Sequence, residues 1–227
     1  MTKIKSEKKN LSIFEKRTAA FKKLSPAQKR VAIAKDVLKQ IKARQFIPKR
    51  GYFVDTTTQN VKGIIGDLSN TDSLQKVLPQ MTCEVCALGG MFLSCTNLNN
   101  KATISALKFD FEHEHSGEAL RMDSVINQNK KFSNGLNRFF SNYQLMLIET
   151  AFEEGQGLIA HFRYVILPNK DSISEYYFNG KWKTATPEIL KAKNFSETTK
   201  TAGRANSTER MVAIMKNIIR NKGRFIP

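Results

Sequence analysis

Two closely spaced cysteines are the first residues whose types suggest chemistry. Cys83 and Cys86 are separated by two residues, a spacing that zinc sites favour, and His113 and His115 would complete a set of four ligands. The cysteines lie in a strongly apolar segment, where a free thiol behaves as a small hydrophobic side chain. The chain contains no second Cys-x-x-Cys pair. We therefore predict buried thiols and no cofactor, with zinc at these four residues as the alternative.

Acidic residues and histidines alternate at the end of the segment 110–115, a pattern that would suit acid–base or divalent-metal chemistry. On a strand, the three acids would share one face and the two histidines the other, which favours a solvated face over a catalytic site. No nucleophile elbow, phosphate-binding glycine loop or Ser/His/Asp arrangement has usable spacing. The sequence therefore favours a protein that is not an enzyme, with a metal-dependent enzyme as the weaker alternative.

The largest functional signal is a formal net charge of +17, concentrated at the two ends of the 227-residue chain. Residues 1–50 hold 16 Lys and Arg against 3 Asp and Glu, and residues 181–227 hold 11 against 3. Residues 51–180 hold 10 against 14. Two basic ends around an acidic middle predict an anionic partner, either nucleic acid or an acidic protein surface.

Basic residues in three predicted elements are the candidates for contact with that partner. Lysine and arginine neutralise phosphates and release counterions, which gives affinity without base reading. The candidates lie in and just after a helix at 26–45, in a predicted hairpin, and at the end of the last helix. They are Lys29, Arg30, Lys35, Lys39, Lys42, Arg44, Lys49, Arg50, Lys181, Lys183, Arg220, Lys222 and Arg224.

The predicted hairpin also carries four aromatic residues, Tyr176, Tyr177, Phe178 and Trp182, beside its lysines. Aromatic rings next to cations can stack on unpaired bases. Cross-strand packing within the hairpin is the other use of the same rings, and it is the one we favour.

Apolar residues at helical spacing predict five helices. Ser25 and Pro26 begin the second, and Ser141 and Gln144 form a capping box at the start of the fourth. The third is apolar nearly all round and therefore belongs in the core. The helices cover 11–24, 26–45, 82–95, 141–154 and a segment from near 207 to a stop at Gly223. The predicted inward faces of the second and last are Val31, Ala34, Val37, Leu38 and Ile41, and Met211, Ile214, Met215 and Ile218.

Strands are predicted at 51–55, 107–112 and 158–167, and Asn179-Gly180 predicts a tight hairpin. Residues 186–205 have the composition of a loop. The predicted fold is α+β, with a helical core around the buried helix 82–95. A small antiparallel sheet or hairpin would come from 103–112 and 158–185. The predicted domains are a basic tail with a short helix at 1–24, and one α+β domain at 25–227 with a β insert at 156–185.

The two basic helices share a short echo. Val31-Ala32-Ile33 leads to Phe46-Ile47-Pro48, and Val212-Ala213-Ile214 leads to Phe225-Ile226-Pro227. The spacing between the two elements differs by two residues, so a strict repeat is not supported. Two similar amphipathic helices packed against the cysteine-containing helix would account for the echo.

Four segments of the chain resemble a group of small helical proteins from bacteriophage and bacterial genomes. The segments are 30–37, 83–90 with its Cys-x-x-Cys-Ala-Leu-Gly-Gly pattern, 144–152, and 210–221 with Gly223. The resemblance implies a bacteriophage or mobile-element origin and brings no catalytic residue with it.

Signals for membrane insertion and secretion are weak. The longest apolar run, Val85 to Leu93, is about half of a membrane span, and no apolar segment follows the N-terminal lysines. Three cysteines fit reduced thiols in a cytoplasmic compartment. We expect a phage-encoded, non-enzymatic viral protein that binds nucleic acid in the host cytoplasm or the virion. The alternative is a protein–protein interaction module, either a virion component or an inhibitor of a host protein.

Overall fold

The structure is a computed structural model that describes residues 12–51, 54–56, 79, 82–99, 136–153, 162–178, 181–195 and 206–227. Helices occur in it together with two small sheets, which confirms the predicted α+β class. In chain order the elements are α1 (Ile13–Lys23), α2 (Pro26–Lys42), β1 (Phe46–Pro48), β2 (Val54–Thr56), β3 (Cys83–Val85), α3 (Ala87–Asn99), α4 (Asn142–Glu153), β4 (Phe162–Ile166), β5 (Ser172–Phe178), β6 (Lys181–Thr184), α5 (Pro187–Lys193) and α6 (Ser207–Arg220).

Helix α3 lies at the centre of the core. Every residue from Ala87 to Asn97 is buried, as expected of a helix without a polar face. Helices α1, α2 and α4 pack against α3, and α6 packs against α2 and α4. The burial predicted for this helix is confirmed.

The start predicted for α3 is wrong, because Cys83–Val85 forms strand β3 instead of a first helical turn. This strand is the middle one of its sheet, parallel to β1 and antiparallel to β2. A short apolar run fits a buried strand as well as a helix, and pairing with two neighbouring strands decides between them. The strand predicted at 51–55 is observed at Val54–Thr56.

Helices α2 and α6 lie side by side and run in opposite directions. A methyl group on Gly90 would contact both Met211, near the start of α6, and Phe46, which follows α2. At the other end of the pair, Gly223 lies against Ala27, near the start of α2. The predicted inward face of α6 is confirmed, since Met211, Ile214, Met215 and Ile218 are fully buried.

The inward face of α2 differs from the prediction. Ala34 and Val37 are buried as expected, but so are the polar residues Asp36 and Gln40. Asn97 of α3 donates to the Asp36 carboxylate at 3.1 Å, so Asp36 faces α3. Three of the residues predicted to face inward are only partly buried, namely Val31, Leu38 and Ile41.

The second sheet is antiparallel, in the order β4-β5-β6, and it contains the predicted hairpin between 176–178 and 181–183. The loop predicted at 186–205 is wrong for Pro187–Lys193, which form α5. Thr186 caps this helix, because its hydroxyl accepts from the Ile189 N–H, and Pro187 occupies the first position.

Several predictions fall outside the described residues, namely the tail at 1–10, the strand at 107–112 and its place in the sheet. The division into domains at residues 24 and 25 stays a prediction. Phe21 of α1 belongs to the same hydrophobic core as residues of α2 to α6.

Candidate anion-binding surface

The solvent side of α2 carries three exposed lysines, Lys35, Lys39 and Lys42. Residues at positions i, i+4 and i+7 lie along one face of a helix, and these three span about 10 Å at 1.5 Å per residue. The one acidic residue of α2, Asp36, is only 8% exposed and lies about a quarter turn around the helix from this row. The outer face of α2 is therefore a row of cations without an acid.

Asp36 is kept inside by a buried polar network. Its carboxylate accepts hydrogen bonds from Asn97 and from Gln40, and Arg17 of α1 donates to the Asn97 oxygen at 2.6 Å. Amide donors on a buried carboxylate offset part of the cost of removing it from water. The network joins α1, α2 and α3 and holds the lysine row toward solvent.

Arg44 extends the row past the end of α2. The Arg44 N–H donates to the Ile41 carbonyl and the Gln45 N–H to the Gln40 carbonyl, both at 3.0 Å. These two bonds define a Schellman motif, and Arg44 takes its left-handed position with φ 57°. The helix ends at Lys42 and not near Gln45, where the sequence predicts its end. The Arg44 side chain is exposed.

Helix α6 ends in the same way. The Lys222 N–H donates to the Ile219 carbonyl at 3.2 Å and the Gly223 N–H to the Ile218 carbonyl at 2.7 Å, with Lys222 at φ 50°. Exposed cations precede and follow this turn. With the row on α2 they make up the set that we name the α2–α6 cations: Lys35, Lys39, Lys42, Arg44, Lys216, Arg220, Lys222 and Arg224.

Lys216 was not among the sequence candidates, although its position is informative. It lies four residues before Arg220, so the two exposed cations share one face of α6. A search for basic residues at helical spacing opposite the apolar face of α6 would have found it.

Two of the predicted anion-binding residues have contacts within the protein. The Arg30 guanidinium donates to the carbonyl of Gly223 at 2.7 Å and to that of Phe139 at 2.9 Å. Lys49 forms an ion pair with Glu84 of β3. Both cations are engaged with the protein itself, and Lys29 and Arg50 are only partly exposed.

The hairpin lysines Lys181 and Lys183 are exposed, but they belong to the second sheet and not to the α2–α6 pair. On the other face of β6, Trp182 supports the Arg163 guanidinium, whose central carbon lies 4.1 Å from the ring centroid. Arg163 also pairs with Glu175 at 2.6 Å. Tyr176 is buried, which is consistent with the packing interpretation of the hairpin aromatics.

The predicted thiols are buried. Burial raises the pKa of Cys86 well above its ordinary value, and the nearby carboxyls of Glu153 and Glu149 raise it further. Cys83 is also buried and not in a disulfide. Within the described part of the chain no three metal-ligating residues come together, and His113 and His115 lie outside it.

Nothing in the sequence near Glu153 indicates that its carboxyl is buried beside Cys86. Burial raises the pKa of Glu153 to about 7, although the Gly51 N–H, which donates to it at 3.0 Å, and the charges of Arg50 and Arg210 lower it. Its partners come from residues 50–51, 86 and 210, so only the tertiary fold assembles this cluster.

Comparisons with protein-family models, with curated proteins and with solved structures find no match to this chain. Among the helices that are described, none has both the length and the apolar character needed to cross a membrane. The geometry of the chain itself therefore carries the functional argument.

Proposed function

We propose that the protein is a non-enzymatic nucleic-acid-binding protein that contacts phosphates through the α2–α6 cations. The observation that carries the proposal is the outer row of α2, where Lys35, Lys39 and Lys42 are exposed and the helix's one acid is buried. Such a row favours a polyanion, because no carboxylate on the same helix face competes with the ligand for the lysines.

The dimensions of the row suit a nucleic-acid backbone. Duplex DNA carries one charge per about 1.7 Å of its axis, so a row of about 10 Å faces several phosphates. Lysine contacts to phosphate give affinity that depends on salt and little on sequence. The proposed activity is thus general binding of the sugar–phosphate backbone.

The test is the salt dependence of binding to a fluorescent 20-base-pair duplex, measured by anisotropy. Neutralising the row in the triple variant Lys35→Gln/Lys39→Gln/Lys42→Gln should reduce the slope of log K against log salt by about 2.7, since each lost phosphate contact accounts for about 0.9. The side chains are exposed, so the variant should keep the unfolding transition of the parent protein.

A control variant carries the same change of charge elsewhere. Lys16, Lys170 and Lys191 are exposed residues of α1, of the β4–β5 connection and of α5. Replacing these three by glutamine should leave most of the slope intact. Equal losses in both triple variants would contradict a localised surface, and no salt-dependent binding by the parent protein would contradict the proposed function.

A further inference from the structure

The second sheet divides its side chains between two faces, and one of them has an unusual composition. Residues opposite each other in the strand register project to the same side of a sheet. The pairs Tyr164–Ser174, Ile166–Ser172 and Tyr176–Lys183 therefore share one face, to which Lys181 also belongs. We name this set the tyrosine–lysine face: Tyr164, Ile166, Ser172, Ser174, Tyr176, Lys181 and Lys183.

One aromatic ring on this face is available to a ligand. Tyr164 is 74% exposed, whereas Tyr176, diagonal to it on the neighbouring strand, is only 8% exposed. The sequence pattern pointed to the hairpin aromatics, including Tyr176, and did not single out Tyr164. An exposed tyrosine ring at the middle of an edge strand is a flat surface on which a planar group can stack.

Three lysines lie on the same side of the sheet as this ring or beside it. The Lys193 ammonium lies 5.7 Å from the Tyr164 ring centroid. Lys183 lies two strands away and two residues along the sheet, at about 12 Å, and Lys181 lies two residues beyond Lys183. The register places no Asp or Glu on the tyrosine–lysine face. Glu175 projects to the opposite face, where it binds Arg163.

We propose that the tyrosine–lysine face binds single-stranded nucleic acid, with a base stacked on Tyr164 and the neighbouring phosphates near Lys181, Lys183 and Lys193. The inference rests on the proposed function for the α2–α6 cations and adds a preference for unpaired bases. In a duplex the base faces are already stacked on each other, so only a single strand can use the Tyr164 ring.

The experiment compares a fluorescein-labelled 20-nucleotide oligothymidine with a duplex of the same length, at one salt concentration, by anisotropy. Tyr164→Leu removes the aromatic ring and keeps an apolar side chain, while Tyr164→Phe keeps the ring. Stacking on one base accounts for a factor of about 5 to 150 in affinity. We expect Tyr164→Leu to weaken single-strand binding by that factor, and Tyr164→Phe to bind within twofold of the parent protein.

The duplex arm and a second variant separate the two proposals. Tyr164→Leu should leave duplex affinity unchanged, and Ile13→Ala, which removes an exposed apolar side chain of α1 outside this face, should leave both affinities unchanged. Single-strand affinity that is equal in the parent protein and Tyr164→Leu overturns the stacking inference, even where duplex binding persists. Absence of binding to both probes by the parent protein overturns the proposed function itself.

Discussion

The segments that follow α2 and α6 carry the same Phe-Ile-Pro sequence but are held in different ways. Each begins after a Schellman turn and buries its phenylalanine, Phe46 or Phe225, while the next residue, Ile47 or Ile226, is exposed. After α2 the backbone joins a sheet, where Gln45 accepts from the Cys83 N–H at 2.8 Å. The two segments thus leave their helices through the same kind of turn, but different groups pair with their backbones.

After α6, side-chain amides pair with the backbone in the way that a neighbouring strand does after α2. The Phe225 N–H donates to Gln144 Oε1 at 2.7 Å and Gln144 Nε2 donates back to the Phe225 carbonyl at 3.2 Å. Asn217 forms the same two-way contact with Ile226, at 3.0 and 2.7 Å. A primary amide presents one donor and one acceptor side by side, as a strand residue does. A short motif thus determines a local turn, and distant residues determine what pairs with it.

The largest effect is expected at the glycine that joins the turn of α6 to its tail. Gly223 has φ +93°, and a Cβ there would lie 2.7 Å from the Ala27 carbonyl oxygen. Gly223→Ala should therefore destabilise the fold by about 3 kcal/mol, from left-handed strain together with overpacking. Gly51, after the other Phe-Ile-Pro segment, has φ +77° and open space, so Gly51→Ala should cost about 1 kcal/mol. Urea unfolding measures both, and equal costs would contradict the comparison.

A titratable group also distinguishes the segment after α2 from the segment after α6. The Gly51 N–H is held by Glu153, whose pKa of about 7 lies above its ordinary 4.5, whereas the amides at the tail do not titrate. The fold therefore favours the protonated carboxyl. The contribution of Glu153 to the free energy of unfolding is complete below pH 4.5 and is lost as pH rises through 7.

The matching variant is Glu153→Gln, which cannot ionise. Its stability relative to the parent protein should rise by about 3 kcal/mol between pH 4.5 and pH 8, because one pH unit corresponds to about 1.4 kcal/mol. Urea unfolding at a series of pH values measures the difference. A constant difference across this range would show that Glu153 does not titrate with folding.

The amide pairing itself predicts a cost of about 2 kcal/mol for Asn217→Ala. Asn217 is fully buried and serves both Ile226 and Asn221, so its removal leaves several polar groups without their partners. Gln144→Ala should cost about 1 kcal/mol, because Gln144 is more exposed and its partners regain contact with water. Thermal unfolding of the two variants checks the order, and a larger loss for Gln144→Ala would contradict it.

The smallest effect is expected at the left-handed residue of the α2 turn. Glycine occupies this conformation without strain, so Arg44→Gly should stabilise the protein by about 1 kcal/mol. Arg44→Ala removes the same charge but keeps the strain, and it serves as the control. A melting temperature that rises equally in both variants would assign the gain to charge instead of backbone conformation.

Capping residues and apolar spacing in the sequence predicted the helices well. The Ser25–Pro26 start and the buried face of α6 follow from capping and apolar spacing. The Thr186–Pro187 start of α5 carries the same kind of capping signal, within a segment whose composition predicts a loop. Long-range pairing decided the remainder, including the strand at Cys83–Val85.

Gln144 illustrates how a correct local pattern can have a different use. Ser141 accepts from the Gln144 N–H as a helix cap, at 3.2 Å, but the Gln144 side chain pairs with Phe225 instead of completing the predicted box. In the candidate surface, too, local patterns predict some side-chain positions and long-range contacts decide others. Helical spacing places Lys35, Lys39 and Lys42 outward, whereas nothing in the sequence near Arg30 shows that its guanidinium meets Gly223.

The contact of Arg30 has a consequence for the order of folding. It joins residues separated by 193 positions, so it forms only after the chain has been synthesised past Gly223. Helix α2 can form early from local contacts, yet its neighbour α6 is synthesised much later, and closing so long a loop slows folding. Until then the apolar side of α2 lacks its α6 cover. The nascent chain is therefore expected to be most prone to aggregation just before α6 leaves the ribosome.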